Sequence, residues 1–218
     1  MFDTTQPYRD RRDAGRRLAA ELAAYRDRGS LLVLAIPRGG VPVAYEVARA
    51  LGAPLDVVVV RKLGVPFQPE LAMGAIASGG IRVLNSEVVD ELGYPDSVIE
   101  AVAAHELSEV VRRERAYRGD RPALDPRGKI AIVVDDGLAT GSSMRAAVAS
   151  LQRRGTTSVV VAVPVGAEST CRQLARVADA VVCPLQPKTF VAVGQWYEDF
   201  IQTSDDEVRR LLEQANPA

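Results

Sequence analysis

Residues 133–144 read VVDDGLATGSSM, and the parsing of the whole chain turns on them. An apolar run, IAIVV at 130–134, ends in two adjacent acids, Asp135 and Asp136. Small and hydroxylic residues follow, and a helical pattern resumes at Ser142 or Ser143. The order is strand, acids, Gly-rich loop, helix. In open parallel sheets, ligands bind beyond the carboxyl ends of the strands, which is where the two acids stand. Carboxylates accept hydrogen bonds from vicinal hydroxyls, as on the 2′ and 3′ carbons of a ribose. The small side chains from Gly137 to Ser143 let backbone N–H groups turn inward. Thr140, Ser142 and Ser143 add hydroxyl donors, and the positive end of the helix faces the same space. Residues of both kinds side by side suit a ligand that carries sugar hydroxyls and a phosphate. A strand, a loop and a capped helix without a ligand would not call for two acids at the strand exit.

Outward from that stretch, residues 31–36, 55–60, 159–163 and 180–183 are further short, continuously apolar runs. Strands buried on both faces of a parallel sheet read this way. Helical spacing at 41–51, 142–153 and 168–177 alternates with them, so the expected class is α/β, an about five-stranded, mainly parallel sheet flanked by helices. A further helix is expected at 10–26, and a longer one at 96–118 capped by Asp96 or Ser97. Residues 62–81, KLGVPFQPELAMGAIASGGI, are too long and too rich in Gly and Pro for an ordinary connection, and predict a mobile flap, or else a rigid β-excursion or subunit contact. Residues 185–203 hold the only Trp and predict a small C-terminal hood. One domain is expected over 1–218, with its core at about 30–184.

With 47% hydrophobic and 25% charged residues and a net charge of -1, the chain has a full core and no global pull toward nucleic acid. No apolar run reaches the roughly 20 residues of a membrane span, and the polar N-terminus is unlike a secretory signal. Cys171 and Cys183 read as ordinary thiols of a reducing cytoplasm. His105, the single histidine, falls inside a helix and is given no catalytic role. No G-x-G-x-x-G opens the first helix and no Walker A loop is present.

VVDDGLATGSSM resembles the phosphoribosyl-pyrophosphate (PRPP) loop of the type I phosphoribosyltransferases: a hydrophobic strand, two acids, two variable residues, then A/D/S-T-G-x-S/T. AIPRGG at 35–40 resembles the family's pyrophosphate loop, and VRKLG at 60–64 the Arg-Lys pair of adenine phosphoribosyltransferase. The resemblance implies transfer of the phosphoribosyl group from PRPP to a small nitrogenous acceptor, with pyrophosphate released. It implies that Arg38, Gly39, Gly40, Arg61, Lys62, Asp135, Asp136, Gly137, Leu138, Ala139, Thr140, Gly141, Ser142 and Ser143 bind PRPP. Of these, Asp135, Asp136, Arg61 and Lys62 would carry the catalysis. Mg²⁺ would be the cofactor, held mainly by PRPP and water rather than by side chains. Phe190, Val191 and Trp196 look somewhat like the hood that stacks on the base, although a plain core role suits Phe190 and Trp196 equally. Ala139 stands where 6-oxopurine enzymes carry an aspartate, which argues against a hypoxanthine or guanine acceptor. A homodimer is compatible with the resemblance. The alternative is a PRPP-binding regulator that keeps the cradle and does no chemistry.

Overall fold

The computed structural model describes residues 7–216. In chain order its elements are α1 (Arg11–Glu21), β1 (Leu31–Ala35), α2 (Gly40–Leu51), β2 (Leu55–Val57), β3 (Val60–Val65), β4 (Gln68–Ala77), β5 (Ile81–Leu84), α3 (Ser86–Leu92), α4 (Asp96–Arg118), β6 (Ile130–Val134), α5 (Ser142–Arg153), β7 (Ser158–Ala162), α6 (Glu168–Leu174), β8 (Ala180–Val182) and α7 (Asp205–Ala215).

The apolar runs form one five-stranded sheet, ordered β2-β1-β6-β7-β8, with every pair parallel. Strands β1 and β6 are buried along nearly their whole length because both faces are covered. One core layer packs α2, α4 and α7 against residues such as Val33, Val57 and Ile132. The other packs α5 and α6 against Leu32, Val133 and Val161. Helix α1 lies on α2 at Gly15, where an added Cβ would sit 2.7 Å from the Val43 carbonyl oxygen. The strand order reverses between β1 and β6, and a doubly wound sheet opens its ligand crevice at that switch point.

The structure corrects several sequence expectations. The second run stops as a main-sheet strand at Val57, since the chain leaves at Val59, whose N–H donates to Ser78 Oγ at 2.8 Å. Helix α4 spans its expected residues, yet its N-cap is Pro95, and neither Asp96 nor Ser97 caps it. Helix α7 has no counterpart in those expectations, although Ser204 ahead of three acids is a legible start, and its hydroxyl accepts from Glu207 N–H at 3.1 Å. Cys171 and Cys183 are both buried thiols packed against Gly166.

The stretch at 62–81 lies within a second, antiparallel sheet ordered β3-β4-β5, an excursion built of regular strands. Leu63, Met73 and Ile76 are fully buried there, with Leu63 and Ile76 joining the α4 side of the main core. Ser150 on α5 donates to the Ser78 carbonyl at 2.9 Å, a buried tie between that helix and the end of β4. Phe67 at the β3–β4 turn is fully in solvent, and Leu71 and Leu84 are also exposed. Among the described residues, no helix is long and apolar enough to cross a membrane.

Because the second sheet shares the main core, Ile76→Ala should lower global stability by about 2–5 kcal/mol, the range for a cavity in a packed site. Chemical denaturation followed by circular dichroism measures this. A main transition left unchanged would show that the sheet folds as a separate flap.

Candidate active site

The parallel register pairs Ala35 with Val134, so β1 and β6 end abreast and their two exit loops meet. The first loop is the 37–40 turn, in which the Pro37–Arg38 peptide is cis. Contact with the second loop is tight enough to exclude side chains. A Cβ on Gly39 would lie 2.0 Å from Asp136 Oδ2, and one on Gly40 would lie 2.7 Å from the Val134 carbonyl oxygen. Glycine is required at both positions by close approach.

The acids are not equivalent. Asp135 lies against the Gly40 turn and accepts from Asp136 N–H at 2.9 Å. Burial, with the Asp136 charge added, pushes its pKa well above the ordinary carboxylate value. Burial also raises Asp136, but the Arg11 guanidinium opposes that shift. Arg11 Nε donates to Asp136 Oδ2 at 2.8 Å, and both side chains are largely enclosed. Arg11 also lies 3.9 Å from the Phe200 ring centre, and its Nη1 donates to the Ile201 carbonyl at 2.7 Å. The Tyr197 hydroxyl, held protonated by burial, donates to the Asp136 carbonyl oxygen at 2.5 Å.

Beyond the acids, the loop turns its amides and carbonyls to opposite sides. Thr170 Oγ1 donates to the Ala139 carbonyl at 2.7 Å, and Arg145 Nη2 donates to the Thr140 carbonyl at 2.9 Å. Gly141 is left-handed (φ +71), and a Cβ there would meet Thr170 Cγ2 at 2.7 Å. The N–H groups of Ala139, Thr140, Gly141, Ser142 and Ser143 donate to no described residue. They are orphan donors at the start of α5, whose helix dipole adds positive potential, and this pairing suits an anion. Leu138 is different: its side chain is buried, its N–H donates to the Val165 carbonyl at 2.9 Å, and its carbonyl accepts from Ala167 at 3.0 Å. Leu138 anchors the loop to the 165–167 connection that follows β7.

The expected cations do not converge on this loop. Arg38 turns its guanidinium toward α7, with Nη1 at 3.7 Å from Asp205 Oδ1. Arg61 is bound to Glu106 of α4 at 2.7 Å. Successive strand residues face opposite sides, so Lys62 leaves β3 on the face away from Arg61. The 185–203 segment does close over the acids: Val193 fills the space above Gly137, leaving 2.5 Å between its Cγ1 and a Cβ built there. Phe190 and Trp196 pack with Tyr8, Val165 and Tyr197, while Val191 is mostly exposed. Phe190 and Trp196 are half-buried in that cluster. Trp196 Nε1 is nonetheless buried without an acceptor among the described residues. No group of three His, Cys, Asp or Glu among the described residues could hold a metal ion alone.

The carboxylate pair sets opposite expectations for two isosteric variants. A carboxyl whose pKa is raised by folding binds its proton more tightly in the native state, so its ionisation costs stability as pH rises above the ordinary carboxylate value. Asp135→Asn removes that cost and can still accept from Asp136 N–H. It should stabilise the protein by about 1 kcal/mol at pH 7, the gain vanishing as pH falls toward about 4. Asp136→Asn leaves an enclosed Arg11 without its counter-charge and should destabilise by about 1–3 kcal/mol. Thermal melting of both variants at pH 4 and 7 measures the contrast, and shifts of the same sign at pH 7 would refute it.

Residues 8–201 match the family model described as phosphoribosyl transferase domain. A Mycobacterium tuberculosis protein named "Putative phosphoribosyl transferase" is 50% identical over 207 residues, 95% of this chain and 46% of that protein. The chain thus spans about half the length of the curated relatives it matches. The crystal structure of TT1426 from Thermus thermophilus is 42% identical with a TM-score of 0.85, covering 96% of this chain and 99% of that one. AQ2163 from Aquifex aeolicus, 11% identical with a TM-score of 0.50 over 84% of this chain and 78% of its own, shares the fold alone. With the family model matched over nearly the whole chain and the β1–β6 crevice built as described, the chain belongs to the phosphoribosyl transferase domain family.

Proposed function

We propose that the protein binds PRPP in the β1–β6 crevice and transfers its phosphoribosyl group to a nitrogenous, nucleobase-like acceptor, releasing pyrophosphate. The observation that carries this reading is the set of orphan N–H groups at 139–143, opening α5 directly beyond two acids at the strand exit. The 5-phosphate is assigned to the amides of Ala139, Thr140, Gly141, Ser142 and Ser143, with Gly137 and Leu138 as the stem of the loop that presents them. The ribose hydroxyls are assigned to Asp135 and Asp136, and the diphosphate to the Gly39–Gly40 turn.

Charge leaves the sugar with the diphosphate, so an oxocarbenium-like centre must be stabilised on one side and an anion on the other. Two carboxylates beside the ribose favour the cationic sugar. Lys62 and Arg61 are assigned to the leaving group, Arg61 after exchanging Glu106 for the diphosphate. The donor set fits Mg²⁺: two hard carboxylate oxygens, but no side-chain cage, so the ion would be carried by the diphosphate and by waters near Asp135 and Asp136. Bound there, it would neutralise charge developing on the leaving oxygens. The β3–β4 hairpin is assigned the lid that excludes water, and the 185–203 hood the acceptor. In the hood, Phe190, Val191 and Trp196 are the proposed base contacts, and the buried Trp196 N–H is a donor awaiting an acceptor. A cytoplasmic enzyme of nucleotide metabolism is the setting that fits this chemistry.

Pyrophosphate release from PRPP and Mg²⁺ across a panel of nitrogenous acceptors tests the reading. Release with one acceptor class is expected; PRPP binding with no release for any acceptor would favour a regulator. Asp135→Asn and Asp136→Asn should each lower kcat/KM by about 2–3 kcal/mol, the scale of charge-assisted hydrogen bonds. Unchanged turnover in both would remove the acids from the ribose site.

A further inference from the structure

Arg38 leads to a second cluster that the proposed reaction does not use. Its side chain leaves the sheet edge and lines a cavity of about 150 Å³ with Arg112, Arg113, Ala116, Tyr117 and Asp205, a space that shares no lining residue with the 135–143 loop. Three guanidiniums from two elements face one carboxylate. Asp205 accepts from the Tyr117 hydroxyl at 3.0 Å and sits 3.7 Å from Arg38 Nη1. Arg112 is oriented by Glu109, which accepts from its Nε at 3.1 Å and its Nη2 at 3.0 Å. Arg113 is half-buried and makes no hydrogen bond or close ion pair with any described residue, its charge acting only at longer range on Glu109 and Tyr117. The neighbouring acid Asp206 is taken by Arg209, so it does not correct the imbalance.

Like charges gathered in a small space repel, and a partly enclosed guanidinium without a partner is costly. An arginine fork matches the oxygens of a carboxylate or phosphate. At about 30 Å³ per water, the cavity holds about five waters, room enough for a tetrahedral anion. The lining offers no stacking ring free for an organic group, since the Tyr117 side chain is buried.

We propose that this α4–α7 cavity is a phosphoryl-anion site, distinct from the crevice at β1 and β6, in which Arg38, Arg112 and Arg113 bind a phosphate that displaces Asp205 from Arg38. The same 37–40 turn carries Gly39 and Gly40 against the acid pair. An anion here would therefore act on the crevice through one short turn.

The test is calorimetric titration of inorganic phosphate into the whole protein, with and without saturating ribose 5-phosphate. Arg113→Gln should weaken one phosphate site about tenfold or more, the loss of a charge-assisted contact. Asp205→Asn, which removes the competing carboxylate, should tighten the same site several-fold. Opposite signs at two neighbouring positions would not arise from a structural role. Glycerol 3-phosphate in parallel separates the sources: tighter phosphate assigns the free anion, and tighter ester assigns the phosphoryl end of a larger ligand. Phosphate affinity unaffected by both substitutions overturns the proposal. The response to Arg113→Gln is independent of whether ribose 5-phosphate binds, so failure here and failure of the PRPP reading are separable.

Discussion

The structure depends on one steric constraint, the absence of room between the 37–40 turn and the Asp135–Asp136 step. Register places Ala35 beside Val134, and the Ile36 N–H donates to the Val134 carbonyl at 2.9 Å. The two exit loops thus continue the strand pairing past the ends of the sheet. With no Cβ at Gly39 or Gly40, the first turn can press against the acids and α2 can begin at once. A side chain at Gly39 would push Asp136 away from Arg11, and with it the contact that brings α1 and the hood to the same point, while one at Gly40 would press on the Val134 carbonyl and Asp135. The helix, the hood and both loops meet at a single carboxylate.

That meeting point stores unfavourable electrostatics. Two acids are held adjacent and largely desolvated, with Arg11 compensating one of them. A stability-optimised fold would place an amide at 135 and lose nothing in hydrogen bonding. Retaining the acid is the kind of local cost that concentrates at working sites rather than in structural cores. Tyr197 and Arg11 limit the cost by tying down the backbone and side chain of Asp136, which leaves Asp135 as the less constrained of the pair.

The sheet and the loop were legible because their signals are local. Continuous β-branched runs report burial on both faces, and the acid–glycine–hydroxyl order reports a strand exit and a helix start. Leu138 misleads because its neighbours in sequence face the crevice, while its own N–H is used by Val165 across a connection that no local pattern reveals. Arg11 had no signal at all, since its contact with Asp136 spans 125 positions. The 62–81 segment was ambiguous for a different reason. Its glycines and prolines read as a loop, but Leu63, Met73 and Ile76 needed the faces of α3, α4 and α5 to become a core. Arg61 and Lys62 looked like one functional pair in sequence, whereas the pleat of β3 separates them.

Helix α4 is the element that connects the placements of Arg38 and Arg61. One of its faces carries Glu106, Glu109, Arg113 and Tyr117, spaced three and four apart so that they stack along the axis. From Glu106 to Tyr117 that face extends about 16 Å at 1.5 Å per residue. At one end it holds Arg61 through Glu106, and at the other Tyr117 orients the Asp205 that holds Arg38. The two arginines read from sequence as facing the crevice are therefore both directed to carboxylates outside the β1–β6 crevice, one on α4 and one on α7 beside it. Each carboxylate can be exchanged for a more highly charged anion without unfolding anything, because Arg61 and Arg38 are both about one-third exposed. The helix thus sets the cost of moving either guanidinium to an incoming phosphate, one carried by a turn of the main sheet and the other by a strand of the second.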